Sequence, residues 1–116
     1  MKIRSANPND ASQIAELNEV FVAVTSPMDA HRFLELFDLC SYCLVADDGE
    51  RLLGFVIAMR NEAPYDNGNY QWFETRVRNM VYVDRIVLAA DARGQGLGHQ
   101  LYDELSTMAL ADGCKV

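Results

Sequence analysis

The sequence predicts a single α+β domain with a mixed sheet, its elements running β-α-α-β-β-β-α. Length is the first reason: 116 residues and 13.0 kDa hold one domain and one core. Composition is the second. Half of the residues are hydrophobic, 23% are charged and only three are proline, which suits a packed core and argues against a disordered chain. The third is a change of apolar period along the chain, from helical spacing to strand runs and back.

Met1 to Ala6 reads as a first strand, closed by Asn7-Pro8-Asn9. Asp10 then predicts a helix N-cap with Gln13 as its capping-box partner, and Ile14, Leu17, Phe21 and Val24 follow on one face. Ser26-Pro27 predicts a second N-cap, with Asp29 in the first turn and Phe33, Leu36, Phe37 and Cys40 facing inward. Tyr42 to Ala46 and Leu52 to Met59 form a hairpin around the turn Asp47-Asp48-Gly49-Glu50. The second of these strands is nearly all apolar, as expected when both faces of a strand are covered. Asn61 to Asn69, with Pro64, Gly68 and three asparagines, reads as a loop, and the aromatic cluster Tyr70, Trp72 and Phe73 follows it. Val81 to Leu88 returns to strand. Leu97 to Ala111 is a helix with Leu97, Leu101, Leu105 and Met108 on one face and Gly113 as its C-terminal glycine.

Charge and cysteine content exclude several function classes. The net charge of −7 is spread along the chain, with no basic cluster to release counterions from a nucleic acid. No apolar run reaches the roughly 18 residues of a membrane span, and the N-terminal residues lack the apolar segment of a secretory signal. Three cysteines, Cys40, Cys43 and Cys114, fit no disulfide framework and suit a reducing, cytoplasmic setting. Cys40 and Cys43 have C-x-x-C spacing, but the chain has no second such pair and only His31 and His99 to complete a zinc site. The pair follows a helix instead of opening one, which is unlike a redox motif. They read as two small buried side chains, and no metal is expected.

The segment that carries chemistry runs from Val83 to His99. A buried strand enters the glycine-rich turn Arg93-Gly94-Gln95-Gly96-Leu97-Gly98, which opens onto an amphipathic helix. Glycines let the backbone approach a ligand, and the first amides of a helix have no intrahelical partner and sit at the positive end of its dipole. Such a turn binds phosphate or pyrophosphate. A dinucleotide fingerprint would need glycine where His99 stands and an acidic residue about 20 positions further on. A P-loop would need Lys and Ser or Thr after Gly98, where His99 and Gln100 follow.

The turn resembles motif A of the GCN5-related N-acetyltransferase (GNAT) superfamily, whose loop reads Q/R-x-x-G-x-G/A; Arg93 to Gly98 matches at every defined position. The upstream strand ending Ile86-Val87-Leu88 and the hairpin ending Leu53-Gly54-Phe55 are similar to the family too. The resemblance implies an acyl-CoA N-acyltransferase fold and acetyl-coenzyme A as co-substrate. Backbone amides of Arg93, Gly94, Gln95, Gly96, Leu97 and Gly98, with His99, would hold the pyrophosphate. The backbone of Ile86, Val87 and Leu88 would pair with the pantetheine arm and donate an N–H to the thioester carbonyl, a contribution of roughly 2.7–4 kcal/mol in comparable oxyanion sites. A neutral primary amine, on a small molecule or a peptide, would attack the thioester directly, and a base would take its proton.

Asp84 is the candidate base, two residues before Ile86; the other reading is a surface ion pair with Arg85 or Arg76. On an alternating strand Tyr82, Asp84, Ile86 and Leu88 share a face, a parity that a bulge would shift. The Arg93 side chain either contacts phosphate or caps the loop. Tyr70, Trp72 and Phe73 either wall an acceptor pocket or cover the sheet. Against the family pattern, the sequence stops at Gly113-Cys114-Lys115-Val116, where a fifth strand is expected to begin, without the family's C-terminal strands and helix. Strand 81–88 would then present an edge suited to homodimerisation. The rival to an enzyme is accordingly a non-catalytic module that binds coenzyme A, or dimerises, on a vestigial fold.

Overall fold

The computed structural model describes residues 1–21 and 25–116. Among the described residues, four strands form one antiparallel sheet in the order β1-β2-β3-β4, with β1 Lys2–Ser5, β2 Tyr42–Asp47, β3 Leu52–Arg60 and β4 Val81–Leu88. Helices α1 (Ala11–Val20) and α2 (Ala30–Leu39) cover one face and α4 (Leu97–Ala111) covers the other. Alternation along β3 explains this sandwich. Phe55, Ile57 and Met59 enter the core shared with α1 and α2, while Val56 and Ala58 enter the core under α4. The resulting α+β architecture matches the predicted class, and the limits of β4 and α4 fall where the pattern places them. No helix among the described residues is long and apolar enough to cross a membrane.

The helix starts differ from expectation. The capping box belongs to Asn7 and Asp10, which open a 3-10 turn over Pro8–Asp10, and Asp10 makes no side-chain cap at α1. Gln13 instead accepts a hydrogen bond from the Leu52 amide. Asp29, not Ser26, caps α2 by accepting from the Arg32 amide. Val24 lies outside the described residues. The stretch read as loop ends in a short helix, α3 (Gly68–Glu74), because the Asn67 side chain accepts from the Tyr70 amide. Residues Tyr70, Trp72 and Phe73 therefore stand on a helix.

Below α4, Gly113 takes the left-handed conformation (φ 79°) and ends the helix, and the Tyr42 hydroxyl donates to Asp112. Met80 then bridges Lys115 in parallel, with the Val81 amide donating to the Lys115 carbonyl at 2.7 Å. A fifth-strand position thus lies beside the start of β4. Cys43 and Cys114 are buried and Cys40 is half-buried, all as free thiols.

Candidate functional site

A bulge in β4 builds the site. Ile57 pairs with Arg85 and Ala58 with Val83, so Asp84 is the extra residue between them. The bulge reverses the parity of an alternating strand: Tyr82 and Val87 pack with the α1–α2 core, whereas Val83 and Leu88 pack with α4. Tyr82, Asp84, Ile86 and Leu88 therefore do not share a face. Neighbours on a regular strand point opposite ways, yet here the side chains of Asp84 and Arg85 are both buried (4% and 6% exposed) and joined, Arg85 Nε donating to Asp84 Oδ2 at 2.7 Å.

Three groups complete this network. The Tyr65 hydroxyl donates to Asp84 Oδ1. Burial, reinforced by that carboxylate, pushes the Tyr65 hydroxyl up to about 12. Arg85 Nη1 donates to Asn18 Oδ1 at 3.1 Å and to the Ser26 carbonyl at 3.0 Å, and Asn18 Nδ2 donates to the same carbonyl at 2.9 Å. Asp84 pairs with Arg85 in the interior and not at the surface, because the bulge turns both side chains inward; Arg76 lies elsewhere, its guanidinium 4.2 Å above the Trp72 ring.

From the bulge onward, β4 forms one wall of an open groove of about 540 Å³, lined by Phe21, Thr25, Asp84, Arg85, Ile86, Val87, Leu88, Arg93 and Gly98. Ile86 is 41% exposed along this edge. At its far end the chain makes a 3-10 turn over Ala90–Ala92, extends at Arg93 and enters the glycine loop. Gly94 and Gly96 both adopt positive φ (77° and 78°), where a side chain would strain the backbone, and a Cβ at either would meet nothing within 4 Å. Gly96 stands at the N-cap of α4 and provides no capping side chain, leaving the first amides of that helix for another partner. Gly54 holds the strands close: a Cβ there would lie 2.8 Å from the Val87 carbonyl and from a Leu88 methyl.

The predicted coenzyme residues thus fall into two sets. Ile86, Val87, Leu88, Arg93 and Gly98 meet in the groove. Gly94, Gln95 and Gly96 are exposed on the adjoining turn and His99 in the first turn of α4, and the Leu97 side chain is buried beneath that helix with only its backbone available to the loop. The Arg93 guanidinium stacks 3.6 Å over the Phe21 ring. The aromatic cluster lies apart from the groove lining. Tyr70 is buried, donating to the Arg60 carbonyl and accepting from the Ala63 amide, while Phe73 packs on Tyr82 and exposed Trp72 meets Phe73 edge-on. A larger hollow of about 700 Å³, between the end of β3 and the start of β4, contains none of the predicted site residues. Phe21, Thr25, Asn18, Tyr65 and Arg85 were not among those predicted; Arg85 beside Asp84 was the one visible signal. No three His, Cys, Asp or Glu side chains converge as metal ligands among the described residues.

Comparison with solved structures finds the same fold repeatedly. Ard1 from Thermoplasma volcanium aligns with a TM-score of 0.74 at 14% identity, covering 97% of this chain and 66% of that one. The putative acetyltransferase yncA from Salmonella typhimurium, solved with its cofactor acetyl-CoA, aligns with a TM-score of 0.74 at 19% identity, covering 98% and 65%. Naa20 from Chaetomium thermophilum, in complex with a bisubstrate analogue, gives a TM-score of 0.70 at 18% identity, with 98% and 58% covered. The chain therefore spans about two thirds or less of these structures. Comparison with curated proteins gives no match. The family model described as the acetyltransferase (GNAT) family matches residues 9–116, which take in the sheet from β2 to β4, the bulge and the glycine loop; the chain belongs to that family.

Proposed function

We propose that this domain binds acetyl-coenzyme A in the β4 groove and transfers the acetyl group to a primary amine. The observation that carries the reading is one continuous surface: the groove along Ile86–Leu88 leads to Arg93 and Gly98 and then to the uncapped start of α4. The residues fit the coenzyme. Open space over Gly94 and Gly96 accepts a pyrophosphate, and the helix amides and dipole favour its charge. The coenzyme supplies an acetyl group activated as a thioester.

The chain's own residues bind, orient and move protons. Amides from Arg93 to Gly98, with His99, hold the pyrophosphate. The backbone of Ile86 to Leu88 pairs with the pantetheine arm, and an N–H of this segment donates to the thioester oxygen. Asp84 takes the amine proton, directly or through water, from its position on the groove; as the amide C–N bond formed, the thioester C–S bond would break and the departing thiolate would take a proton from solvent. Trp72 and Phe73, exposed on α3 outside the groove lining, offer an apolar surface for the body of the acceptor, with Tyr70 bracing that helix from the core.

Calorimetric titration with acetyl-coenzyme A tests the binding step. Saturable binding is expected, and Gly96→Glu should abolish it while circular dichroism stays native, because the new carboxylate occupies the anion position; unchanged affinity refutes the loop assignment. Asp84→Asn should lower kcat by about 10²–10⁴-fold with coenzyme affinity retained, the usual range for a lost general base. Turnover at the unsubstituted rate removes Asp84 from the chemistry.

A further inference from the structure

The Asp84–Arg85 pair poses an energetic question. Burying a charge pair is offset by mutual attraction only when the geometry is good, and apolar replacements of similar volume are often as stable or more so. Stability alone is therefore a weak reason for a guanidinium here. Its partners point to another. Nε holds Asp84, on the β4 wall of the groove, while Nη1 holds Asn18 on α1 and the Ser26 carbonyl. Asn18 is fully buried and binds the same carbonyl through Nδ2, so Arg85, Asn18 and Ser26 close a triangle of hydrogen bonds. Thr25 precedes Ser26 and Phe21 ends α1; both line the groove opposite β4, and Phe21 also carries the Arg93 guanidinium. One buried side chain thus ties β4 to the segments that carry the opposite wall.

We propose that Arg85 is a positioning residue that holds the two walls of the groove in register before the ligand arrives. The inference rests on the coenzyme reading of that groove. Ordering side chains and loops at the moment of binding lowers affinity, so a wall fixed beforehand raises it. The part of the ligand that lies along Asp84–Leu88 and Thr25 depends on Arg85. The part held at the glycine loop depends on the backbone of Arg93 to Gly98, which Arg85 does not touch.

Two ligands separate these contributions in calorimetry on the full chain: acetyl-coenzyme A, and its headgroup 3′-phosphoadenosine 5′-diphosphate, which has the pyrophosphate without the pantetheine arm. Arg85→Gln should weaken acetyl-coenzyme A about tenfold and leave the headgroup affinity unchanged. Asn18→Ala, which keeps the ion pair and the direct Arg85–Ser26 bond but removes the two bonds made through Asn18, should act in the same direction by about threefold, and it decides the matter if Arg85→Gln fails to fold. Arg85→Lys should recover part of the loss, since an ammonium can meet Asp84 but cannot fork to Asn18 and Ser26. Equal weakening of both ligands would mean general loosening of the fold and overturns the proposal, as does unchanged acetyl-coenzyme A affinity in a folded variant. Absence of acetyl-coenzyme A binding by the unsubstituted chain is a different result: it overturns the coenzyme reading and this inference with it.

Discussion

Two arginine–carboxylate networks in this domain use the same chemistry at different depths. At the start of the chain, Arg4 of β1 forks onto both oxygens of Asp10 at 2.9 Å and reaches Asp47 on β2 at 3.1 Å, with its side chain 26% exposed. On β4, Arg85 forks between Asp84, Asn18 and Ser26 with 6% exposed. The first network fastens the start of α1 to the sheet edge, where water screens part of the attraction and replaces a lost partner. The second borders the groove with both side chains almost wholly buried, so water screens it and replaces a lost partner far less. Depth decides how much each pair matters and what depends on it.

Substitutions that break one partner should separate the two. Asp84→Ala leaves the Arg85 guanidinium buried without its counter-charge, and about 3–5 kcal/mol of unfolding free energy should be lost in urea titrations. That is a large share of the roughly 5–15 kcal/mol available to a domain. Asp10→Ala removes hydrogen bonds to a charged group near solvent and should cost about 1–3 kcal/mol in the same assay. A loss at Asp84 no larger than that at Asp10 would contradict the argument from depth.

Acid sharpens the comparison at Asp10. Its hydrogen bonds from Arg4, with a further one from the Asn7 amide, hold the carboxyl below the ordinary carboxylate range. A carboxyl depressed in the folded state stabilises the fold above its unfolded value, and that contribution disappears as pH falls through the folded value. Asp10→Asn should therefore flatten the fall of stability below about pH 4, while lowering stability at neutral pH. An unchanged acid slope would show that other carboxylates set it. The smallest effect belongs to the exposed pair Arg51–Asp91 at 2.5 Å, whose replacement by Arg51→Ala should leave the Tm unchanged within error.

The sequence made some of this legible and hid the rest for identifiable reasons. Long apolar periods mark β4 and α4 because each buries a full face against the sandwich. Helix starts were harder, since capping-competent residues recur three apart: Asn7 with Asp10, Asp10 with Gln13, Ser26 with Asp29. Local chemistry does not choose among them; the Leu52 amide, 39 residues from Gln13, does. Helix α3 spans seven residues, too short for a period, behind a proline, a glycine and asparagines that signal a turn. In the site, the glycine loop was readable because its backbone conformation is written in residue type. The network around Arg85 was not, because Asn18 lies 67 residues away and the bulge that turns Asp84 and Arg85 to one side has no local signature.

The open start of α4 has a consequence for the molecule as a whole. A helix whose first amides lack a capping side chain is completed by whatever anion sits there, so occupancy and folding become linked quantities. A ligand that binds only the folded chain adds about 2.7 kcal/mol at one hundred times its dissociation constant. For α4, which packs Leu97, Leu101, Leu105 and Ala109 into the core beneath the sheet, that increment is transmitted beyond the loop. Amide hydrogens under α4, remote from the groove, should exchange more slowly when the loop is filled, so that the interior of the domain reports on its surface.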